Sequence, residues 1–289
     1  MPELPEVETM RRGILKGVGQ RVVGVERPAC SRKPILLQPG IAAFRKRVAD
    51  RTIAAIDRLG KRVVIRLDSS DVIIFEPRMT GLVLVSNPPS FEHLRFRLIL
   101  DSGPLSDIWY WDRRGLGSVR LFTARQLDDT YGSDRLGPDP LQVSAEQFRA
   151  RFHGSRRPVK VALLDQKALA GIGNLYASEI LHLAAVHPAQ RCDLLTIDQW
   201  QAVHAAMQHV LNDAILHEGS TLSDGTYRNV LNDPGGYQNH HQVYDRADAP
   251  CPRCRAGVIV RIVQAQRSTF FCPKCQTKRG IKRKSRSDA

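Results

Sequence analysis

Residues 251–275 read CPRCRAGVIVRIVQAQRSTFFCPKC, and the reading of this stretch decides how the last part of the chain folds. Two C-x-x-C knuckles, Cys251 with Cys254 and Cys272 with Cys275, are separated by seventeen residues. In a chain that opens without a secretory pattern, this spacing predicts a tetrahedral four-cysteine zinc site rather than a pair of disulfides. Four thiolates close the coordination shell, so the zinc is expected to be structural. The other two of the six cysteines, Cys30 and Cys192, lack partners at ligand spacing and read as ordinary thiols.

Outward from the knuckles, the charge is uneven. Residues 251–289 carry 11 Lys and Arg against the single acid Asp288, within a chain whose net charge is +14. A basic end of this density is the footprint of a polyanionic partner. Its final part, KRGIKRKSRSDA from Lys278, has no apolar periodicity and reads as a flexible basic tail (278–289). A hydrophobic content of 42% over 289 residues suits a globular protein with more than one core. No run approaches the roughly 18 apolar residues of a membrane span. Glu3 and Glu6 stand where a secretory signal would be basic and apolar, so an intracellular, cytoplasmic protein is expected.

The first 135 residues alternate in a different way. Leu4, Val7, Met10 and Ile14 recur at helical spacing and predict an amphipathic helix from Leu4 to about Lys16, with Pro and acids suited to its first turn. Short runs rich in Val, Ile and aromatics follow at 21–26, 52–57, 62–67, 72–76, 82–85, 94–100 and 108–111. Turn signals such as DSSD and SNPPS separate them, which predicts a β-sandwich or barrel. From Ser144 the pattern becomes helical: a capped helix to about Phe152, then 174–186 and 196–217, the last ended by Gly219. LGPDP at 136–140 reads as an interdomain linker.

Five motifs stand in order along the chain: MPELPEVE at 1–8, RMTG at 78–81, GIGNLYASE at 171–179, GGYQ at 235–238 and QRSTFFCPKC at 266–275. Together with the cysteine knuckles they resemble the formamidopyrimidine-DNA glycosylase and endonuclease VIII family, over residues 2 to about 276. The PELPEVE opening is closer to the formamidopyrimidine branch. The resemblance implies an α+β multidomain protein. An N-terminal helix and β-sandwich (2–135) would precede a helix–two-turns–helix domain with a lesion-recognition loop (136–245) and a zinc ribbon (246–277). DNA would lie in the cleft between the halves. It also implies a monomer acting on damaged double-stranded DNA, with one zinc ion as cofactor.

The family's nucleophile is the mature N-terminal proline, here Pro2 once Met1 is removed. An α-amine has a pKa near 8, against about 10.4 for Lys, so more of it is uncharged at neutral pH. Attack at the sugar C1′ gives a covalent iminium, which splits one hard step into two. Carried over residue by residue, Glu3 matches the acid/base and Lys61 the lysine beside the damaged nucleotide. Arg267 matches the ribbon arginine that holds phosphate and assists elimination, and Asn174 a phosphate-binding asparagine. Glu6 matches a supporting carboxylate, while Arg156, Arg157 and Lys160 offer further backbone contacts. The wedge that fills the gap left by a flipped base corresponds to Met79, Arg114 and Leu116, and His93 belongs to a stretch that touches the DNA backbone.

Three positions depart from the family pattern. Leu116 replaces an aromatic, Glu76 stands where a histidine is common, and Phe91 replaces a second histidine. A carboxylate near phosphate needs a cation such as Arg78 beside it. These departures bear on substrate range, so removal of oxidised purines (formamidopyrimidines, 8-oxoguanine) is set beside an endonuclease VIII-like preference for oxidised pyrimidines. A lesion-binding protein that does not cut and a zinc-ribbon binder without damage specificity are the remaining readings. The tail supplies a first prediction: deleting Lys278 onward weakens DNA binding and flattens its salt dependence while cutting survives. Loss of all cutting at saturating protein, scored on a lesion duplex across a salt series, would contradict that role.

Overall fold

The structure, a computed structural model, describes residues 2–278; Met1 and the tail from residue 279 lie outside the described residues. Seven α-helices are described: α1 Leu4–Ile14, α2 Ile41–Val48, α3 Ala124–Tyr131, α4 Ala145–Phe152, α5 Val159–Leu163, α6 Asn174–Leu183 and α7 Ile197–Leu216. The strands are β1 Val22–Glu26, β2 Leu36–Gln38, β3 Ile53–Arg58, β4 Val63–Leu67, β5 Val72–Glu76, β6 Gly81–Leu84, β7 Leu94–Leu100, β8 Asp107–Asp112, β9 Ser118–Phe122, β10 Val260–Gln264 and β11 Arg267–Phe271. They form two compact units. The first holds residues 2–143, 165–173 and 208–241, the second 144–164, 174–207 and 242–278. No described helix is long and apolar enough to cross a membrane.

The first unit is built on two sheets, β1-β7-β8-β6 and β2-β9-β5-β4-β3, antiparallel except for the β2–β9 pair. Their inner side chains share one core, which includes Val25, Leu98 and Tyr110 from one sheet and Ile65, Phe75 and Val119 from the other. The expected sandwich is therefore what forms. Helix α1 is held to this core by Val7, Met10 and Ile14; the fourth residue of the predicted stripe, Leu4, is also fully buried, against Gly171. Strand β5, with sequence VIIFE, is buried along its whole length. Ile73 and Phe75 enter the main core, and Val72 and Ile74 join Val64 and Phe122 on the opposite face, where Leu127 and Tyr131 of α3 pack. A strand covered on both sides reads as a continuous apolar run.

Several elements escape a reading by periodicity. Arg120 interrupts the alternation of β9, yet the strand sits inside the five-stranded sheet because Arg120 finds a carboxylate there. Helix α2, IAAFRKRV, buries only Phe44 and Val48, too short an apolar stripe to stand out. Helix α6 ends at Leu183, short of Val186, because Ala185 adopts φ 55°, a left-handed conformation that stops the helix.

In the second unit, Ser144 caps α4 in a reciprocal box with Gln147, and Thr196 and Gln199 do the same for α7. Phe148 packs edge-on against Phe152, whose ring stacks on Trp200 at 5.9 Å and 13°. A smaller core of Val243, Ile259 and Phe270 supports the β10–β11 hairpin and the cysteines.

One buried carboxylate shows how charge is handled in the first unit. Burial pushes the Glu8 carboxyl up, but hydrogen bonds from Arg11 and Arg12 and the charge of Arg58 outweigh it and bring its pKa to about 2. Because the folded value lies below the unfolded one, Glu8 contributes stability above about pH 4.5 and loses it as pH falls toward 2. Glu8→Gln is expected to cost about 2 kcal/mol at neutral pH, the buried-pair figure discounted for exposed Arg12, and to flatten the acid limb. Unfolding curves at neutral pH and about pH 3 measure both; equal losses at the two pH values would exclude this account.

Candidate active site

The start of α1 is fastened at several points. Glu3 is its N-cap and, with Glu6, forms a capping box in which the Glu3 N–H donates to Glu6 Oε2 at 2.8 Å. The other oxygen of Glu6 accepts from the Ser220 N–H at 2.9 Å. Glu3 Oε2 accepts from the Gly173 N–H at 2.7 Å, and the Leu4 N–H donates to the Gly171 carbonyl at 3.0 Å. Pro2, Glu3 and Glu6 are all buried. The glycines of GIGN explain how the backbone comes so close: a Cβ on Gly173 would lie 2.2 Å from the Glu3 carboxyl carbon, and Gly171 has φ 116° with Leu4 against it. Three segments far apart in sequence thus meet at the start of α1, 171–173 at Glu3 and Leu4 and 219–220 at Glu6.

Lys61 is half-buried in the turn between β3 and β4. The three residues expected to form the wedge come from two turns joined by Asp112. This fully buried carboxylate accepts from the Gly117 N–H at 2.8 Å and the Arg114 N–H at 3.1 Å, and it is hydrogen-bonded to the Thr80 hydroxyl. Gly81 pairs with Asp112 across β6 and β8. Met79, Arg114 and Leu116 stand on these turns with exposed side chains. Arg78, just before Met79, has φ 53°, a left-handed conformation uncommon for residues other than glycine and found at positions the surroundings over-determine.

Glu76 is buried and faces three guanidiniums: Arg62 at 2.8 Å, Arg78 at 3.4 Å and Arg120 at 3.5 Å. Its charge is therefore neutralised several times over. His93 ends a short 3₁₀ turn, edge-on to Trp111 and 2.8 Å from Glu92; burial lowers its pKa. Phe91 leaves most of its ring exposed.

The second unit brings Asn174 and the first residues of β11 together through a buried ammonium. Lys160, expected among the backbone contacts, is only 1% exposed. Its Nζ donates to Asn174 Oδ1 at 2.7 Å, Thr269 Oγ1 at 2.7 Å and the Ser268 carbonyl at 3.0 Å, and Asn174 Nδ2 donates to that same carbonyl at 2.9 Å. With three donors engaged beneath the surface, Lys160 ties Asn174 to β11. Arg267 is exposed at the start of β11, directly after a two-residue turn in which Ala265 and Gln266 have φ 46° and 61°. Such a turn normally uses Asn or Gly, so this hairpin holds strain beside the arginine. Arg156 is exposed.

The cysteines fit a zinc ion. The Sγ atoms of Cys251 and Cys275 lie 3.7 Å apart and those of Cys254 and Cys272 3.8 Å, and all four are within 4.8 Å of one another. A tetrahedron with zinc–sulfur bonds of about 2.3 Å has edges of about 3.8 Å. A Cβ on Gly257 would fall 2.6 Å from Cys272 Sγ, so the cradle is shaped for sulfur. Glu179, within the GIGNLYASE motif but without a role assigned by sequence, anchors the chain leading to the ribbon. Its buried carboxylate accepts from the N–H groups of Gln242, Val243 and Tyr244 at 2.7–3.0 Å. Only its place in a motif hinted at it.

Comparison with known proteins agrees along nearly the whole chain. Residues 1–119 match the formamidopyrimidine-DNA glycosylase N-terminal domain, 136–226 the H2TH domain of the same enzymes, and 249–278 a zinc finger found in FPG and IleRS. The formamidopyrimidine-DNA glycosylase of Chloroflexus aggregans is 41% identical over 96% of this chain and 98% of its own, and that of Thermomicrobium roseum 38% over 96% and 99%. Among solved structures, the MutM (Fpg) protein of Thermus thermophilus has a TM-score of 0.82 at 33% identity. A Lactococcus lactis Fpg mutant in complex with Fapy-dG-containing DNA reaches 0.84 at 31%. Both comparisons cover 96% of this chain and 100% of the other. A further L. lactis Fpg complex contains abasic-site DNA, with a TM-score of 0.83 at 30% identity.

Removal of the zinc held by the thiolates is expected to collapse the ribbon, because binding and folding of such sites are coupled. A mercurial that titrates the four cysteines abolishes hydrogen-exchange protection in β10 and β11 and leaves β4 and β5 protected. Retained protection of the hairpin after the metal has left would count against a structural zinc.

Proposed function

The chain belongs to the formamidopyrimidine-DNA glycosylase family, and on that premise we propose that it is a bifunctional DNA glycosylase and AP lyase of base excision repair. Its substrate is damaged double-stranded DNA, and its preferred lesions are formamidopyrimidines and 8-oxoguanine. The lesion and abasic-site DNA held by the L. lactis relatives supports that choice. The enzyme works as a monomer in the cytoplasm.

The observation that carries the mechanism is the placement of Glu3, next to Pro2 and fixed by the Gly173 N–H and the capping box. With Met1 removed, the Pro2 amine attacks C1′, the glycosidic bond breaks, and the base leaves with a proton. The sugar ring opens as the iminium forms on the Pro2 nitrogen. Its electron demand acidifies C2′; loss of that proton expels the 3′ phosphate, and a second elimination expels the 5′ phosphate. Glu3 moves protons at the sugar. Lys61 lies beside the damaged nucleotide. Arg267 holds phosphate through the elimination, and Asn174, Arg156 and His93 set the backbone register.

Met79, Arg114 and Leu116 fill the space of the flipped base, and residues 219–244 close over it. Lys160 keeps Asn174 and β11 in place. Residues 136–245 form the DNA-binding module and 246–277 the ribbon. Leu116, aliphatic where a ring is usual, favours a second reading in which oxidised pyrimidines are preferred by the same chemistry.

Borohydride trapping on duplexes containing 8-oxoguanine, an oxidised pyrimidine or an abasic site tests the mechanism and ranks the substrates. A reduced adduct mapped to Pro2 by mass spectrometry is expected. Glu3→Gln is expected to slow base release by about 10²–10⁴-fold. Absence of an adduct on every duplex, from protein starting at Pro2, would leave a damage binder that does not cut.

A further inference from the structure

We propose that Asp213, His217 and His240 form a second metal site, separate from the cysteine ribbon, for a divalent first-row ion with affinity for imidazole such as zinc. One oxygen and two nitrogens, one from each side chain, all lie within 4.8 Å of one another. Asp213 and His217 are one turn apart at the end of α7, so both project from the same face. His217 Nδ1–H donates to the Asp213 carbonyl oxygen at 2.9 Å and lies 3.3 Å from Asp213 Oδ1, which fixes the ring against the aspartate. The bond to the carbonyl places the proton on Nδ1, so the neutral ring offers Nε2 to an ion, the arrangement common for metal-bound histidine.

The third ligand arrives from residues 237–240, a 3₁₀ turn, where the His240 ring centroid is 3.8 Å from that of His217 at 39°. An aspartate–histidine pair near a helix end is a common ion pair, but it gives no reason for a second imidazole this close. Buried Tyr237 stacks on His240 at 5.9 Å and 7° and orients the ring. The backbone is also pinned there: the Gly236 N–H donates to the His217 carbonyl at 2.8 Å and the Tyr237 N–H to the Gly219 carbonyl at 2.9 Å. The ligands therefore need little further ordering.

Two imidazoles and one carboxylate suit zinc and its neighbours, whereas magnesium and calcium require more oxygens. Asp213 and His217 are half-buried and His240 is exposed, so water can complete the shell. The ion bridges the two ends of segment 218–239 and holds its base closed. None of the three residues moves a proton or holds phosphate in the mechanism proposed above; His240 lies within the 219–244 segment, but the metal content can be measured without any turnover.

Zinc-loaded full-length protein is titrated with a metallochromic chelator, then with a mercurial that frees thiolate-bound metal. The wild type is expected to release one zinc per chain before the mercurial and one after it. His240→Asn and His217→Gln lose the first zinc and keep the second, whose retention shows that the variant has folded. Asp213→Asn weakens the first by at least about tenfold. Wild type releasing zinc only after the mercurial overturns the proposal, and so does an early zinc that survives in both histidine variants.

Discussion

The bond between the Gly173 N–H and the Glu3 carboxylate is the constraint on which the rest of the first unit depends. It fixes the entry to α1, the helix whose apolar stripe closes one end of the sandwich core. It also orders the residue next to Pro2. Hydrogen bonds to a charged acceptor are worth about 1.5–3 kcal/mol, and leaving such an acceptor buried without them costs a comparable amount. The same carboxylate thus has a reason to be retained for stability and a place from which to move protons. Its neighbour Glu6 extends the lock to Ser220, tying the base of the 219–244 segment to the same helix.

Buried charge recurs as the organising device. Glu8, Glu76, Asp112, Lys160 and Glu179 are each less than a tenth exposed, and each is surrounded by several opposite charges or oriented hydrogen-bond partners, donors for the carboxylates and acceptors for the ammonium. Removing one partner from such a cluster leaves an uncompensated charge, which costs more than the cluster contributes when complete. These groups therefore define single arrangements of the turns and strand ends that carry exposed residues. Asp112 presents Arg114 and Leu116, Glu76 gathers Arg62, Arg78 and Arg120, and Lys160 sets Asn174 beside β11. Left-handed backbone also adjoins two of these exposed residues, at Arg78 before Met79 and at Ala265 and Gln266 before Arg267.

Much of this was legible in the sequence. Apolar residues at helical spacing determined α1, strand-length apolar runs determined most of the sandwich, and capping pairs marked the starts of α4 and α7. Two C-x-x-C knuckles determined the metal site, because ligand type and spacing alone specify a tetrahedral thiolate cage. These are local properties, carried by side-chain period and covalent reach. The motif order implied the family and, with it, the residues offered as catalytic.

Tertiary structure alone decided the partners of the charges. Lys160 looks like one more basic residue beside Arg156 and Arg157, and only the approach of β11 to α6 buries it. Strand β9 forms in spite of Arg120, because Glu76 waits in the neighbouring strand. The convergence of His240 with His217, and of Glu3 with Gly173, joins positions far apart in the chain. No local pattern encodes such meetings, since they arise from the closure of long loops and the burial of apolar surface elsewhere, and a polar side chain shows its partner only once the backbone has brought the two within reach.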